Sequence, residues 1–327
     1  MGKFARLLGG NLLRVALLLI AVSVVTFALM SLSPVDPVQA YVGAGVSVSP
    51  EQRANIAAYW GLDKPPVQRF LAWGSALLRG DFGTSLTYRA PVLEVIGQRA
   101  GASFALMGTA WLLSGLIGLG LGIAMGACRG GWLDRVLKAV CLAMASTPAF
   151  WLGLVLLSAF SVALGWFPIG LSAPPGVLAG EVTLAQRLHH MALPALTLSL
   201  TSFANIALHT REKLAAALDS DYALYARARG ESRWSVVRRH GLRNVLIPAL
   251  TLQFASFSEL FGGSVLAEQV FSYPGLGQAA VQAGLRSDLP LLMGITLFSA
   301  LFVFCGNAVA NLLYGAVDPR IREGGWK

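Results

Sequence analysis

Charged residues are scarce in this sequence of 327 residues. Asp, Glu, Lys and Arg together make up 13 % of it, whereas hydrophobic residues make up 55 %. A soluble domain carries roughly a quarter charged residues, so this composition argues against an ordinary water-exposed surface. It fits a protein whose outer surface faces lipid.

Cysteine is also rare, with three residues at Cys128, Cys141 and Cys305. An odd and scattered set excludes a disulfide framework and a metal-ligand spacing, so we expect small buried apolar side chains. The sequence has no Gly-x-x-x-x-Gly-Lys-Ser/Thr phosphate loop either. We therefore predict no catalytic residues and no cofactor bound by this chain.

Long apolar blocks are abundant instead. A spanning helix needs about 20 apolar residues, and only helices and closed barrels satisfy the backbone in lipid. We predict an all-α polytopic membrane protein with six transmembrane helices, from these blocks: Val15–Leu32, Ala102–Met125, Val140–Leu164, Met191–Leu208, Leu246–Leu266 and Leu289–Val317. The first block has the basic start of a secretory signal, but no clear small-x-small cleavage site follows it, so we expect it to be retained.

The basic residues predict an orientation. If the N-terminus lies inside and each block crosses once, 17 of the 25 basic residues fall on the cytoplasmic side, which satisfies the positive-inside rule. The net charge of +9 then needs no nucleic-acid partner. For a bacterial inner membrane with both termini in the cytoplasm, the predicted regions are residues 1–32 (N-terminus and first helix), 33–101 (periplasmic loop), 102–317 (membrane core, with a cytoplasmic loop at 211–245 and a periplasmic loop at 267–288) and 318–327 (cytoplasmic tail).

The long outer loop carries helix signals. Ser49 precedes Pro50, which is the pattern of an N-cap followed by proline at the first helical position. Val67–Leu78 forms a second amphipathic stretch of the kind that lies on a membrane surface or on the domain itself.

A glycine stripe marks the second block. Gly118, Gly122 and Gly126 recur every four residues, and such small residues let two helices approach closely in lipid. We predict that this stripe packs against another helix.

The segment Ser220–Asn244, which we call the knuckle, is basic and helical in pattern. Asp221, Tyr222 and Tyr225 lie along one side of a first short helix, and Gly230 breaks it. Ser232 can cap a second helix, Arg233–His240, with Trp234 and Val237 on one face. Two interpretations remain open on these grounds, a solvated basic loop or a projection that docks a partner.

The knuckle carries a family resemblance. Asp221–Gly230 followed by Arg239–Asn244 resembles the EAA-type cytoplasmic loop of binding-protein-dependent ABC importer permeases, in particular the B-type subunit of the dipeptide/oligopeptide/nickel family. Four further segments agree in order along the chain: 33–37, 79–85, 268–277 and 318–322. The sequence departs from the EAA pattern where the family has Glu, Ile, Leu and Pro, since it has Leu224, His240, Leu242 and Arg243.

The resemblance implies a fold like that of type I ABC importer permeases and a role in moving a substrate from a periplasmic binding protein into the cytoplasm. It implies as partners a homologous second permease subunit, two cytoplasmic ATP-binding subunits that hold ATP and Mg, and a periplasmic substrate-binding protein. It places a set of residues at the ATPase contact: Asp221, Tyr222, Tyr225, Ala226, Arg227, Ala228, Gly230, His240, Arg243 and Asn244. It places Pro274, Gly275 and Gly277 at a periplasmic gate.

Glu259 bears on the cargo because it is the one carboxylate predicted inside a span. Such charges usually face a pore or a partner, and its surroundings look like those of nickel-importing members. A carboxylate suits a metal cation or a charged chelate, so nickel or another metal cargo is favoured over a di- or oligopeptide, with Gln253 and Ser256 as further pore candidates. The alternative is a structural hydrogen bond from Glu259 to Gln253 or Ser256.

Two other classes are open. An ATP-independent channel or secondary carrier often shows inverted repeats, and no clear repeat is present here. A membrane enzyme needs a convergent set of acids, bases or nucleophiles, for which one glutamate is thin support.

Overall fold

The structure, a computed structural model, describes residues 2–43, 47–178 and 180–317, with side chains from residue 13 to residue 310. The predicted tail 318–327, with its family segment 318–322, lies outside the described residues. Within the described ranges the chain is helical and contains no strand, only an isolated bridge between Thr84 and Pro91. The all-α prediction is confirmed.

The described chain forms fourteen helices, two of which run on into π turns. Their bounds are α1 (Gly2–Ser31), α2 (Pro37–Val42), α3 (Pro50–Tyr59), α4 (Pro66–Leu77), α5 (Val92–Ala127), α6 (Trp132–Ala145), α7 (Ala149–Leu156, then a π turn at Leu157–Ala163), α8 (Leu184–Leu218), α9 (Asp221–Ala228), α10 (Arg233–Val236, then a π turn at Val237–Gly241), α11 (Leu242–Ala255), α12 (Phe257–Val270), α13 (Leu276–Leu285) and α14 (Leu289–Val317).

The candidate membrane spans number four among the described residues, or six if two bent pairs each count as one. The four are α1, α5, α8 and α14. The pair α6 and α7 bends by 107°, and the pair α10–α11 and α12 bends by 50°. The predicted third and fifth spans are therefore broken helices rather than single straight ones.

Local chemistry explains both breaks. Pro148 has no amide proton and disfavours helical backbone at Thr147, so α6 ends shortly before it. At the second break the Ser256 hydroxyl donates to the carbonyl oxygen of Gln253 at 2.9 Å. Side-chain bonds of this kind compete with the helical ladder and bend helices.

By packing, the chain divides into two units. Unit 1 comprises Met1–Ala102 and Pro274–Phe304, and unit 2 comprises Ser103–Tyr273 and Cys305–Lys327. Each is described by itself below.

Unit 1 is held together by a buried carboxylate at the start of α14. Asp288 is fully buried and accepts hydrogen bonds from the Ser85 hydroxyl (2.6 Å), the Thr87 amide (2.8 Å) and the Leu291 amide (3.2 Å). It therefore caps α14 and fixes the loop before α5 in one step. The family segment 79–85 thus has a structural role.

The short helices of unit 1 follow the sequence signals. Ser49 and Gln52 form a reciprocal capping box at the start of α3, with Pro50 in the first turn. The second predicted stretch, Val67–Leu78, is α4 displaced by one residue. Both helices could be predicted from the sequence because a capping residue or a proline determines the backbone conformation within a few residues of itself.

Unit 2 is built around α8, which is largely buried. The glycine stripe of α5 packs against it, since a Cβ atom built at Gly122 would lie 2.4 Å from the Thr210 Cβ. At Gly118 and Gly126 the corresponding distances to side chains of α8 are 2.9 and 2.8 Å. The predicted close helix contact is confirmed.

The cysteines divide between two environments. Cys141 is buried on α6 in an apolar cluster with Met125 and Phe203. Cys128 and Cys305 are exposed, so the expectation of buried side chains is wrong for these two. Cys128 lies in the turn that follows α5, and Cys305 lies on an outer face of α14.

An ion pair ties α6 to α8 in unit 2. Asp134, 2 % exposed, accepts from Arg211 Nε at 2.5 Å and from Arg211 Nη2 at 2.8 Å, and the Gly130 amide donates to the same carboxylate at 2.8 Å. The bidentate geometry fixes the angle as well as the distance between the two helices.

Candidate functional site

The knuckle begins where α8 ends and contains the turn predicted at glycine. Gly230 has φ +87°, and nothing lies within 4 Å of a Cβ atom built there. Glycine is thus needed for backbone conformation rather than for space. After the turn, the Ser232 hydroxyl accepts from the Ser235 amide and caps α10, as predicted.

The second helix of the knuckle does not end at His240. It passes through the π turn Val237–Gly241 directly into α11. A Cβ atom at Gly241 would lie 2.5 Å from the Leu214 Cδ1, so the glycine lets this wide turn lie close to α8. The second half of the knuckle is therefore the first part of a long helical segment and not a separate short helix.

The knuckle has one buried face and one exposed face. Ala223, Ala226, Val236 and Val237 pack with Leu214, Leu218 and Val245 in a single cluster. The exposed face presents four large apolar side chains, with exposed fractions of 45 % at Tyr222, 52 % at Leu224, 66 % at Tyr225 and 63 % at Trp234. The outer face of the knuckle therefore presents apolar and aromatic side chains to the surroundings.

Trp234 and Val237 do not share a face as predicted. Val237 is buried in the cluster while Trp234 is exposed. On a helix with 3.6 residues per turn, side chains three positions apart point about 60° apart, so Val237 reaches the buried cluster while Trp234 stays exposed.

Three of the predicted contact residues meet in space. The Asn244 side-chain amide donates to the Tyr222 hydroxyl and to the His240 carbonyl, both at 2.9 Å. The rings of Tyr222 and His240 lie 6.2 Å apart. This contact joins α9 to the start of α11.

Glu231 is a member of this site that the sequence analysis missed. Its carboxylate accepts from the Ser235 hydroxyl at 2.8 Å and lies 3.6 Å from His240 Nε2 and 4.0 Å from Arg239 Nη1. The Ser235 hydrogen bond, assisted by His240 and Arg239, lowers the pKa of Glu231. The sequence signal that could have identified Glu231 is its position as an acidic residue directly after Gly230 in an otherwise basic segment.

The remaining predicted residues of the knuckle differ in environment. Ala226 is buried, whereas Asp221, Ala228 and Arg243 are exposed. Arg227 is also exposed and donates from Nη2 to the Leu218 carbonyl at 3.3 Å, which links α9 to the end of α8.

The pore candidates separate into two environments. Glu259 is exposed and lies in the first turn of α12, just after the break at Ser256. Gln253 is buried, where its Nε2 donates to the Trp111 carbonyl at 2.5 Å and its own carbonyl accepts from Trp111 Nε1 at 2.8 Å. Gln253 therefore joins α11 to α5.

A buried carboxylate lies where the sequence analysis expected a loop. Glu268 is fully buried in the last turn of α12, and the Ser103 hydroxyl donates to its Oε1 at 2.6 Å. The predicted loop 267–288 is in fact mostly helical, comprising the end of α12 and all of α13. Glu268 is followed by Phe271 and Pro274, and this segment has no hydrophobic periodicity that would have predicted burial of the glutamate.

The predicted gate residues lie at the start of α13. Gly275 is its N-cap residue in an extended conformation, and Gly277 is buried in its first turn. Pro274 precedes the cap and is half-buried. Throughout the parts of the chain that the structure describes, no group of three or more His, Cys, Asp or Glu side chains is placed to hold a metal ion.

Several apolar helices that can cross a membrane, joined by an exposed aromatic knuckle, define a polytopic membrane protein of the permease class. The chain belongs to the dipeptide/oligopeptide permease family of ABC importers, since residues 118–323 match the binding-protein-dependent transport system inner membrane component and residues 4–106 match the N-terminal part of such components.

Curated relatives align over nearly the whole chain. The oligopeptide transport system permease protein AppB of Bacillus subtilis (strain 168) is 34 % identical over 93 % of this chain and 95 % of its own length. The di/tripeptide transport system permease protein DppB of Pseudomonas aeruginosa (strain UCBPP-PA14) is 36 % identical over 92 % and 94 %. A putative peptide transport system permease protein of Brucella abortus (strain 2308) is 35 % identical over 93 % and 95 %.

Solved structures support the fold. A chain of the MetNI methionine ABC transporter in an inward-facing conformation superposes with a TM-score of 0.55 at 17 % identity, covering 68 % of this chain and 96 % of that one. A chain of an amino acid ABC transporter with histidines gives a TM-score of 0.51 at 15 % identity, covering 68 % and 94 %. The predicted likeness to type I importer permeases is confirmed at the level of the fold.

Proposed function

We propose that this permease subunit conducts di- or oligopeptides. The observation that carries this proposal is that relatives aligned over more than nine-tenths of the chain are named as peptide permeases. The sequence analysis favoured nickel or another metal and held peptides as the alternative. The names of the relatives favour that alternative.

The described side chains give the metal proposal little support. Glu259 is a single exposed carboxylate, and metal sites in proteins gather several ligands. No such group occurs among the described residues. As a pore residue, Glu259 suits the cationic amino terminus of a peptide, since a lone carboxylate pairs with an ammonium group.

The proposed coupling surface is the exposed face of the knuckle. A cytoplasmic ATP-binding subunit would bury Tyr222, Tyr225 and Trp234, which are now largely exposed. Because α10 runs through the π turn into α11, a displacement of the knuckle would move α11 directly. ATP and Mg would be held by the partner subunits, two of which serve a pair of homologous permease subunits.

The proposed orientation places the knuckle and both termini in the cytoplasm. Residues 33–101 and the gate residues Pro274, Gly275 and Gly277 then face the periplasm, where a substrate-binding protein delivers the cargo. The distribution of basic residues supports this orientation.

The proposal is tested by uptake into proteoliposomes that contain the complete transporter. Four labelled substrates are compared: a dipeptide, a pentapeptide, nickel ion and a nickel–chelator complex. We expect ATP-dependent uptake of one or both peptides, competed by unlabelled peptide. Uptake of nickel or its chelate without peptide uptake would overturn the peptide proposal.

The pore role of Glu259 needs its own variant in the same assay. Glu259→Gln is expected to lower peptide uptake without changing the amount of assembled complex, because only the charge is removed. Unchanged uptake and selectivity would remove Glu259 from the substrate path.

A further inference from the structure

Unit 1 contains an apolar cleft of about 700 Å³ between α1, α4, α5 and α14. Its wall includes Leu19 and Ile20 of α1, Leu71 and Gly74 of α4, and Leu301 of α14. Three of the helices around the cleft, α1, α5 and α14, are candidate membrane spans. The cleft therefore opens among helices that are long and apolar enough to lie in the hydrocarbon of the bilayer.

The cleft offers few polar groups to an occupant. Both of its serine hydroxyls already donate to their own helices, Ser23 to the Leu19 carbonyl at 2.7 Å and Ser75 to the Ala72 carbonyl at 2.8 Å. Aromatic rings complete the lining at Phe70, Trp73 and Phe82. The chemistry of the cleft selects a hydrocarbon rather than a polar substrate.

A second cavity, of about 300 Å³, lies on the opposite face of α4 and is charged. Lys64 and Arg69 line it together with one carboxylate, Asp81, which accepts from the Gly83 amide at 2.8 Å. The cavity adjoins the cleft at the rings of Trp73 and Phe82, which line both. The Arg69 guanidinium stacks over the Phe27 ring at 5.9 Å, and burial lowers its pKa. Among the described residues, no carboxylate comes within 4.0 Å of either cation.

The two cavities lie at different depths along α14. The charged cavity includes Leu289 and Pro290 in its first turn, whereas the cleft includes Leu297 and Leu301. From Leu289 to Leu301 is about 18 Å at 1.5 Å per residue. The charged cavity, with two cations and one carboxylate, lies at the end of a span. Aromatic rings lie between it and the apolar cleft further along α14, and this sequence matches the headgroup-to-tail order of a phospholipid.

We propose that unit 1 binds an anionic phospholipid, with an acyl chain in the apolar cleft and its phosphate at Lys64 and Arg69. A helix from another protein fits less well. A helix 10–12 Å in diameter that ran the 18 Å along both cavities would fill about 1,700 Å³, more than the cleft and the charged cavity together, whereas an extended acyl chain is far thinner. This inference does not depend on the cargo.

Native mass spectrometry of the full-length chain in its complex provides the test, after delipidation and addition of phosphatidylglycerol. Gly74→Leu is the cleft variant, because nothing lies within 4 Å of a Cβ atom there and the side chain enters the cleft without a backbone clash. We expect retention to fall about tenfold, as about two methylenes of the chain lose their contacts. Gly97→Leu is the matched control, since Gly97 is also an open helical glycine in unit 1 but does not line the cleft.

The phosphate contact is tested separately. Arg69→Gln is expected to abolish the preference for phosphatidylglycerol over phosphatidylethanolamine, while Arg286→Gln, an exposed cation of the same unit outside both cavities, leaves it intact. Retention in Gly74→Leu equal to wild type would overturn the proposal. The proposal would also be overturned if Arg69→Gln kept the wild-type preference for phosphatidylglycerol over phosphatidylethanolamine. Cross-linking of a protein helix into the cleft would overturn it as well.

Discussion

At the scale of single residues, the contact between α5 and α8 depends on glycines that have no room for a methyl group. A Cβ atom at Gly122 would lie 2.4 Å from the Thr210 Cβ and 2.7 Å from the Ala207 carbonyl oxygen. One of these neighbours is backbone, so rotation of a side chain cannot relieve the clash. Small residues at helix contacts in lipid serve this close approach.

We predict opposite effects of the same substitution at two glycines of α5. Gly122→Ala should lower the unfolding free energy by about 1–3 kcal/mol through overpacking. Gly120→Ala, where nothing lies within 4 Å, should be neutral or raise it by up to about 1 kcal/mol through helix propensity. Thermal unfolding of the purified protein in detergent measures both, and equal shifts would contradict the close packing.

The ion pair between Asp134 and Arg211 gives a second prediction at this scale. Asp134→Asn leaves a guanidinium that is only 21 % exposed without its anion. We expect a loss of about 2–3 kcal/mol, below the 3–5 typical of fully buried pairs because water still reaches Arg211. Asp219→Asn breaks the exposed pair with Arg129 and should cost at most about 1 kcal/mol. Chemical denaturation compares the two, and a smaller loss for Asp134→Asn would refute the ranking.

At the scale of elements, the knuckle combines a rigid attachment with an exposed surface. Its inner face packs with Leu214, Leu218 and Val245, and Asn244 joins its two halves through Tyr222 and His240. These contacts attach the knuckle to α8 and to the start of α11.

Gly230→Leu tests the turn at the centre of this element. The φ of +87° costs an L-residue about 1–2 kcal/mol, and nothing lies within 4 Å to clash. We expect normal insertion and assembly but less substrate moved per ATP hydrolysed, measured in proteoliposomes. Normal uptake at the normal ATP rate would show that the turn is not part of the coupling.

Tyr225→Ala tests the outer face of the same element. Tyr225 is largely exposed and stacks with Arg229 at 5.9 Å, so its loss should leave thermal stability nearly unchanged. As an aromatic anchor it should contribute about 1–2 kcal/mol to ATPase binding, measured as a rise of about five- to thirtyfold in the dissociation constant. Tyr59→Ala on α3, a tyrosine that is also largely exposed and lies in the predicted outer loop, should not change that constant. Equal binding by both variants would place the docking surface elsewhere.

Prediction from sequence succeeded where local chemistry decides an element. The capping box at Ser49, the cap at Ser232 and the turn at Gly230 follow from backbone rules that act within a few residues. It failed where a residue's environment depends on groups far away in the sequence. Glu268 is an example, since its buried carboxylate accepts a hydrogen bond from Ser103, 165 positions earlier. The breaks after α6 and α11 were also missed, because hydropathy measures how apolar a segment is and not whether it is straight.

At the scale of the whole molecule, the orientation in the membrane is open to a direct test with a native cysteine. Cys128 is exposed in the turn after α5, which the proposed orientation places in the cytoplasm. A membrane-impermeant maleimide added to intact right-side-out vesicles, with Cys305→Ser as background, should therefore label it only after permeabilisation.

The control for orientation lies in the predicted periplasmic loop. Asp63→Cys, at an exposed turn between α3 and α4, should be labelled in intact vesicles when Cys128 and Cys305 are replaced by serine. Labelling of Cys128 before permeabilisation would reverse the assignment of the knuckle to the cytoplasm and remove the proposed ATPase contact.

Composition and hydrophobic periodicity were enough to predict a helical membrane protein with a glycine-packed bundle and a capped, hinged knuckle, because lipid demands long apolar helices and caps and turns obey local rules. Family segments along the chain pointed to the permease class for the same reason, since each is read residue by residue. The folded chain alone decided which helices bend, that Asp288 and Glu268 are buried, and that Asn244 joins Tyr222 to His240. These features depend on side chains brought together from distant parts of the sequence, and no spacing in the sequence encodes such distances.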